Sequence, residues 1–169
     1  AYRRQRQMCI RDRYISIQKT WYNYCEKIHI INGGIDMKAY EYLKPGHAQL
    51  TDKEKPTITS STDAIIRIVK TTICGTDLHI IKGDTPEVKS HTTLGHEGIG
   101  IIEEIGDNVN NFKVGDKVII SCISSCGKCY YCKKGIYAHC ENGGGWILGH
   151  LVNGTQAEYV LSLIHISEP

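Results

Sequence analysis

The sequence predicts a mostly-β fold, a small barrel or sandwich with excursions, on two observations. Short β-branched runs are bounded by glycine and turn residues, and no long apolar stripe of helical period appears. "MKAYEYL" alternates apolar and polar residues from Met37, the mark of a strand with one face buried. "DAIIRIVKTTIC" (Asp63–Cys74) alternates around isoleucine and valine and predicts a second, half-buried strand. A short turn of helix is expected near Thr76–Lys82. "GIGIIEEIG" (Gly98–Gly106) reads as a strand closed by glycines, and a Gly115–Asp116 turn precedes the strand "KVII". "TQAEYV" starts a further strand at Thr155.

The ends of the chain read differently from its middle. Back-translated, Arg3–Arg13 can spell a transposase-type sequencing adapter, and Leu161–Pro169 the reverse complement of its partner. Residues 1–13 and 161–169 are therefore expected to be library artefacts, set aside before fold reasoning. Residues 14–36 are rich in Ile, Tyr, Asn and Lys and end in "GGIDM", which can encode a ribosome-binding site ahead of a start codon. They are expected to be a translated upstream region or a disordered extension, with Met37 as the true first residue and 37–160 as the natural segment. The whole chain carries a formal net charge of +2. Residues 37–160 hold 13 Lys and Arg against 14 Asp and Glu, a net charge of −1. Charge therefore supplies no argument for a nucleic-acid partner. No apolar run approaches the roughly 20 residues of a membrane helix, and no secretory signal pattern appears.

Two constellations carry chemistry. Cys126, Cys129 and Cys132 follow C-x2-C-x2-C spacing, with Cys140 eight residues later. Such spacing lets sulfurs converge on one metal at about 2.3 Å, and four thiolates close a tetrahedral zinc site against substrate. Lys128, Lys133 and Lys134 lie between or beside them and could offset the thiolate charge. The alternatives are a disulfide framework, an iron–sulfur cluster, and a zinc ribbon on nucleic acid. Against them stand the missing signal, the missing x3-C-P continuation and the missing basic surface. The second constellation is quieter: Cys74 in "CGTDLH" and His96 in "GHE". A catalytic zinc takes three protein ligands and keeps one position open. Cys74 and His96 could supply two, with Glu97 as a transient or outer carboxylate. Thr76 and His79 follow Cys74 and could pass a proton to water. "GHEGIGIIEEIG" is not a dinucleotide fingerprint, because Glu103 stands where its third glycine belongs.

These residues resemble the zinc-dependent medium-chain alcohol dehydrogenases. "GHEGIGIIEEIGDNV" fits G-H-E-x2-G-x5-G-x2-V, and "CGTDLH", "GDKVIISC", "CGKCYYCKKGIYAHC" and "GGGWILGHLVNGTQAEYV" follow in family order. The resemblance covers almost all of 37–160. It implies a chaperonin-10-like (GroES-like) β-barrel with a structural-zinc lobe, stopping before the Rossmann domain and the third catalytic zinc ligand. It implies Cys74 and His96 as catalytic zinc ligands, Glu97 as their alternating carboxylate, and Thr76 and His79 as a proton relay. Cys126, Cys129, Cys132 and Cys140 become the structural zinc site. The reaction implied is reversible oxidation of a small alcohol to an aldehyde or ketone, with hydride passing to NAD or NADP. The segment alone is expected to be inactive, and its parent to be a cytoplasmic homo-oligomer with neither nucleic acid nor membrane as partner. A different class remains open: a non-enzymatic zinc module for interaction or nucleic acid. Trp146 is expected to be a packed structural residue rather than a cleft wall.

Overall fold

The computed structural model describes residues 36–142, 144–163 and 166–167. The expectations for residues 1–35 lie outside them. Among the described residues ten strands dominate: β1 (Asp36–Lys44), β2 (His47–Glu54), β3 (Asp63–Thr71), β4 (Thr92–Thr93), β5 (Gly98–Ile105), β6 (Lys117–Ile120), β7 (Ile123–Ser124), β8 (Gly145–Trp146), β9 (Tyr159–Leu163) and β10 (Ile166–Ser167). Among the described residues two short helices interrupt them, α1 (Gly75–Lys82) and α2 (Tyr130–Lys133), with a 3-10 turn at Tyr137–His139.

The strands form three sheets, in the orders β2-β1-β4, β10-β6-β5-β3-β9 and β7-β8. Every strand pairing is antiparallel. β6 shows why "KVII" forms a strand, since its residues alternate exposed and buried with period two. Its buried Val118 and Ile120 join Ala64, Ile66, Ile102, Leu148 and Val160 in the main core. A second cluster holds Tyr42, Ile80, Val88 and Leu94, with Trp146 packed against it. Trp146 is thus part of the packing, as the sequence suggests.

Residues 155–158 join the two larger sheets. Tyr40 N donates to Gln156 O at 2.8 Å and Glu158 N to Lys38 O at 3.1 Å, while Ile68 N donates to Glu158 O at 2.8 Å. One segment thus bonds β1 beyond its pairing with β4 and β3 beyond its pairing with β9, satisfying backbone groups that those short strands leave open. The strand expected from Thr155 therefore begins as this bridge and becomes β9 only at Tyr159.

Three features depart from the sequence reading. β2 is unforeseen because "HAQLTDKE" is polar and only half-buried, and its pairing with β1 rather than its composition makes it a strand. β3 is buried on both faces from Asp63 to Ile66, not half-buried throughout. Asp63 tolerates this burial because its Oδ2 accepts from Thr59 N, Thr59 Oγ1 and Ser60 N. β9 runs on past Val160 to Leu163, where Ser162 is buried opposite Ala64, and β10 pairs Ile166 with Ile120. The segment read as adapter-derived thus continues the sheet, its alternating "LSL" being compatible with a strand. Among the described residues no helix is long and apolar enough to cross a membrane.

Candidate metal centres

Cys74 sits at the N-cap of α1 in an extended conformation, and Gly83 ends the helix in the left-handed region at φ 95°. Asp77, three residues after the cap, reaches back so that its Oδ2 accepts from Cys74 N at 2.8 Å. Its Oδ1 accepts from Gly95 N at 3.1 Å. One buried carboxylate thereby ties together the residue carrying the thiol and the residue preceding His96. Burial pushes the Asp77 carboxyl above its ordinary value, against the pull of the Cys74 amide, the His96 ring and the Gly95 amide.

Gly95 is needed where it stands. Its φ is +91°, and a Cβ there would lie 2.7 Å from Gln156 Cγ and 2.8 Å from Gln156 N. The same tight turn receives Gly154, whose added Cβ would fall 1.9 Å from Gly95 O. The 155–158 bridge thus presses against the loop that delivers His96. Further along, Thr71 Oγ1 donates to Glu97 O at 2.9 Å, and Thr72 Oγ1 donates to Glu97 Oε2 at 2.5 Å. The carboxylate of Glu97 is therefore held by the end of β3.

The result is a convergence of three potential ligands. Cys74 Sγ, a ring nitrogen of His96 and a carboxylate oxygen of Glu97 all lie within 4.8 Å of one another. His96 is buried, and its Nδ1 has no hydrogen-bond partner, standing 3.7 Å from Asp77 Oδ1. With Asp77 on the Nδ1 side, Nε2 is the nitrogen suited to a metal, in the carboxylate–histidine arrangement common around zinc. Thiolate, imidazole and carboxylate together form a donor set that suits Zn²⁺. Thr76 Oγ1 lies 3.7 Å from Cys74 Sγ, so the hydroxyl is beside the cluster. His79, three residues beyond Thr76 on α1, is largely exposed and its Nδ1 meets Asp84 Oδ2 at 2.8 Å. His79 therefore stands outside the ligand cluster, one turn outward. The Trp146 ring lies edge-on to His96 at 6.0 Å and stacks on His150 at 4.2 Å.

The second centre is the four-sulfur group. Cys126, Cys129, Cys132 and Cys140 all lie within 4.8 Å of one another, with Cys126 Sγ 4.0 Å from Cys132 Sγ. A tetrahedron with 2.3 Å bonds has edges of about 3.8 Å, so the sulfurs fit one zinc ion with little movement. No disulfide engages them. Amides surround the sulfurs: Cys126 N donates to Cys140 Sγ at 3.2 Å and Cys129 N to Cys126 Sγ at 3.4 Å. Asn142 Nδ2 donates to Cys126 Sγ at 3.2 Å. The Asn142 bond, then the Lys128 and Cys129 amides, pull the Cys126 thiol down to about 6 against the opposing effect of burial. Asn142 and backbone amides thus meet the sulfurs directly, while Lys134 lies over the Tyr130 ring at 4.6 Å.

Sequence reasoning missed Asp77, Thr72 and Asn142. Asp77 had a signal in its position three residues after an N-cap. Thr72 and Asn142 had none, because their partners become neighbours only in the fold.

The sequence matches the family described as the alcohol dehydrogenase GroES-like domain over residues 60–165. It is 40% identical over 140 residues to an alcohol dehydrogenase of Cupriavidus necator, covering 74% of this chain and 38% of that protein. An L-threonine 3-dehydrogenase of Caldanaerobacter subterraneus is 40% identical over 123 residues, 71% of this chain and 34% of its own. Among solved structures, zinc-dependent alcohol dehydrogenase 2 from Streptococcus pneumonia, in its apo form, superposes with a TM-score of 0.71 at 66% identity. That match covers 76% of this chain and 36% of the other. The chain thus spans under two fifths of the length of these relatives. Its fold, its motif order and its two clusters of potential metal ligands agree with the match: the chain belongs to the alcohol dehydrogenase GroES-like domain family.

Proposed function

We propose that this segment serves in a zinc-dependent dehydrogenase that reversibly oxidises a small alcohol to an aldehyde or ketone and transfers hydride to NAD or NADP. The observation that carries the reading is the convergence of Cys74, His96 and Glu97 beside Thr76, separate from a closed four-sulfur group. In this reading Cys74 and His96 are catalytic zinc ligands and Glu97 is the carboxylate that can enter or leave the set. Cys126, Cys129, Cys132 and Cys140 hold a structural zinc ion, since four thiolates leave no position for substrate. We assign residues 37–160 to the catalytic domain, and 1–13, 14–36 and 161–169 to regions outside its chemistry. The parent is read as a cytoplasmic homo-oligomer with neither nucleic acid nor membrane as partner, in keeping with the net charge of −1 over 37–160.

A bound Zn²⁺ would supply a Lewis acid that lowers the pKa of the alcohol hydroxyl. The chain's own residues then manage position and proton. Asp77 ties the Cys74 backbone to Gly95, the residue before His96, so the ligands need little rearrangement. Thr72 holds one oxygen of Glu97 and leaves the other for the site. The Thr76 hydroxyl accepts the alcohol proton as it passes its own to His79, which is exposed enough to release it to water. The balance is one hydride to the nicotinamide and one proton to solvent.

The test is a panel of primary, secondary and polyhydric alcohols offered to the full-length protein with both zinc sites loaded, read as NAD(P)H absorbance. Alcohol-dependent reduction of NAD or NADP is expected; none on any alcohol, nor the reverse reaction on any aldehyde or ketone, would overturn the reading.

A further inference from the structure

We propose that Asp84 is a positioning residue for His79: its carboxylate holds the ring proton on Nδ1 and leaves Nε2 as the nitrogen that takes the substrate-derived proton. This inference rests on the dehydrogenase reading given above and adds a residue that neither the sequence motifs nor the metal clusters mark.

The geometry begins at the end of α1. Gly83 turns the chain in the left-handed region, and Gly83 N and Asp84 N both donate to His79 O, at 3.1 and 3.0 Å. The turn is confined from below, because a Cβ on Gly83 would lie 2.9 Å from Pro45 Cβ. The chain therefore folds back so that Asp84 stands over the residue five positions earlier. Its Oδ2 lies 2.8 Å from His79 Nδ1. An ionised carboxylate can only accept, so Nδ1 must carry the proton. The tautomer of a histidine is set by the bond its other nitrogen makes, and here that bond selects Nε2 as the acceptor.

The carboxylate is suited to remain ionised. Hydrogen bonds from His79 and then Lys82 hold it below the ordinary aspartate range. Lys82 Nζ reaches the same oxygen at 3.2 Å, so the carboxylate is shared between two donors. An exposed pair of this kind adds little to stability. Its consequence is orientation of a ring that would otherwise rotate freely at the surface. When Nε2 gains the proton passed on by Thr76, His79 becomes an imidazolium beside a negative carboxylate. The same Nε2 then gives the proton to water, and no bond to Asp84 needs to break.

Ring-nitrogen 15N NMR of the 169-residue chain reads the tautomer directly. His79 is expected to be protonated on Nδ1 in its neutral form. Asp84→Ala and Asp84→Asn should move it toward the Nε2-protonated form, and Asp84→Glu should restore it. In the full-length enzyme Asp84→Ala is expected to lower kcat about tenfold while KM for the alcohol changes less than about twofold. An Nε2-protonated His79 in the unmutated chain, a tautomer indifferent to Asp84→Ala, or an unchanged kcat in an active enzyme would each overturn the proposal. Absence of alcohol oxidation by the unmutated full-length protein would overturn the dehydrogenase reading, whereas the NMR arm still decides whether Asp84 governs His79.

Discussion

Replacing Cys132 with alanine is expected to abolish zinc binding at the four-sulfur site and to unfold the lobe around it. Cys132 is the buried member of the four and lies on α2, whose N-cap is Cys129. Around it the chain has little other reason to hold its shape. Tyr130, Ile136 and Tyr137 are exposed, and among the described residues Cys132 is the one buried side chain between Ser125 and Ile147. Structural zinc binding contributes directly to folding free energy, with apparent values near 10–16 kcal/mol in small metal-folded peptides. Only part of that reaches the whole domain, because no residue of the lobe belongs to the main core cluster. A loss of about 3 kcal/mol is a reasonable expectation, a fall in Tm of roughly 10 °C for a domain of this size. Thermal melts with and without chelator check it: chelation should bring the unmutated protein down to the variant and leave the variant unmoved. Equal melting temperatures for the two zinc-loaded proteins would count against a structural metal.

His96→Ala is expected to have the largest effect on chemistry. The full-length enzyme should lose the zinc ion of the Cys74 cluster while retaining the other, and kcat/KM should fall by about 10³-fold or more. Stability should change far less than for Cys132→Ala. His96 has a buried Nδ1 without a hydrogen-bond partner, so its removal sacrifices no formed bond at that atom. Steady-state kinetics together with the Tm separate this from a folding defect. Full activity in the variant would remove His96 from the site.

Some of this was legible in the sequence, for reasons that differ by residue. "KVII" became β6 with the boundaries its pattern suggested, because one-face burial and period two agree there. The helical turn expected at Thr76–Lys82 is α1, which begins one residue earlier, at Gly75. The four-sulfur group was readable because its ligands are close in sequence, so local geometry alone nearly assembles it. Cys74 and His96 are separated by α1, a loop and β4, and Asp77 of α1 bonds back across that stretch to Gly95. Neither period nor spacing contains that bond. Cys74 and His96 were paired on their ligand chemistry and on resemblance to a family, while the Asp77 bond went unseen. β2 was hidden because its residues are polar, and Thr72 because a hydroxyl two residues before a cysteine carries no pattern of its own. The sheet also continues through Leu161–Leu163, across a boundary drawn from codons rather than from chemistry.

In our proposal this domain carries two metal centres of different kinds, one closed and one built for substrate. Zinc analysis of the full-length protein and of its Cys74→Ala variant decides between one centre and two. Two zinc ions per chain falling to one in the variant, with the four-sulfur site still filled, is the result predicted here. One zinc ion per chain in both proteins would contradict it, leaving Cys74 and His96 without a metal and the domain without a catalytic centre.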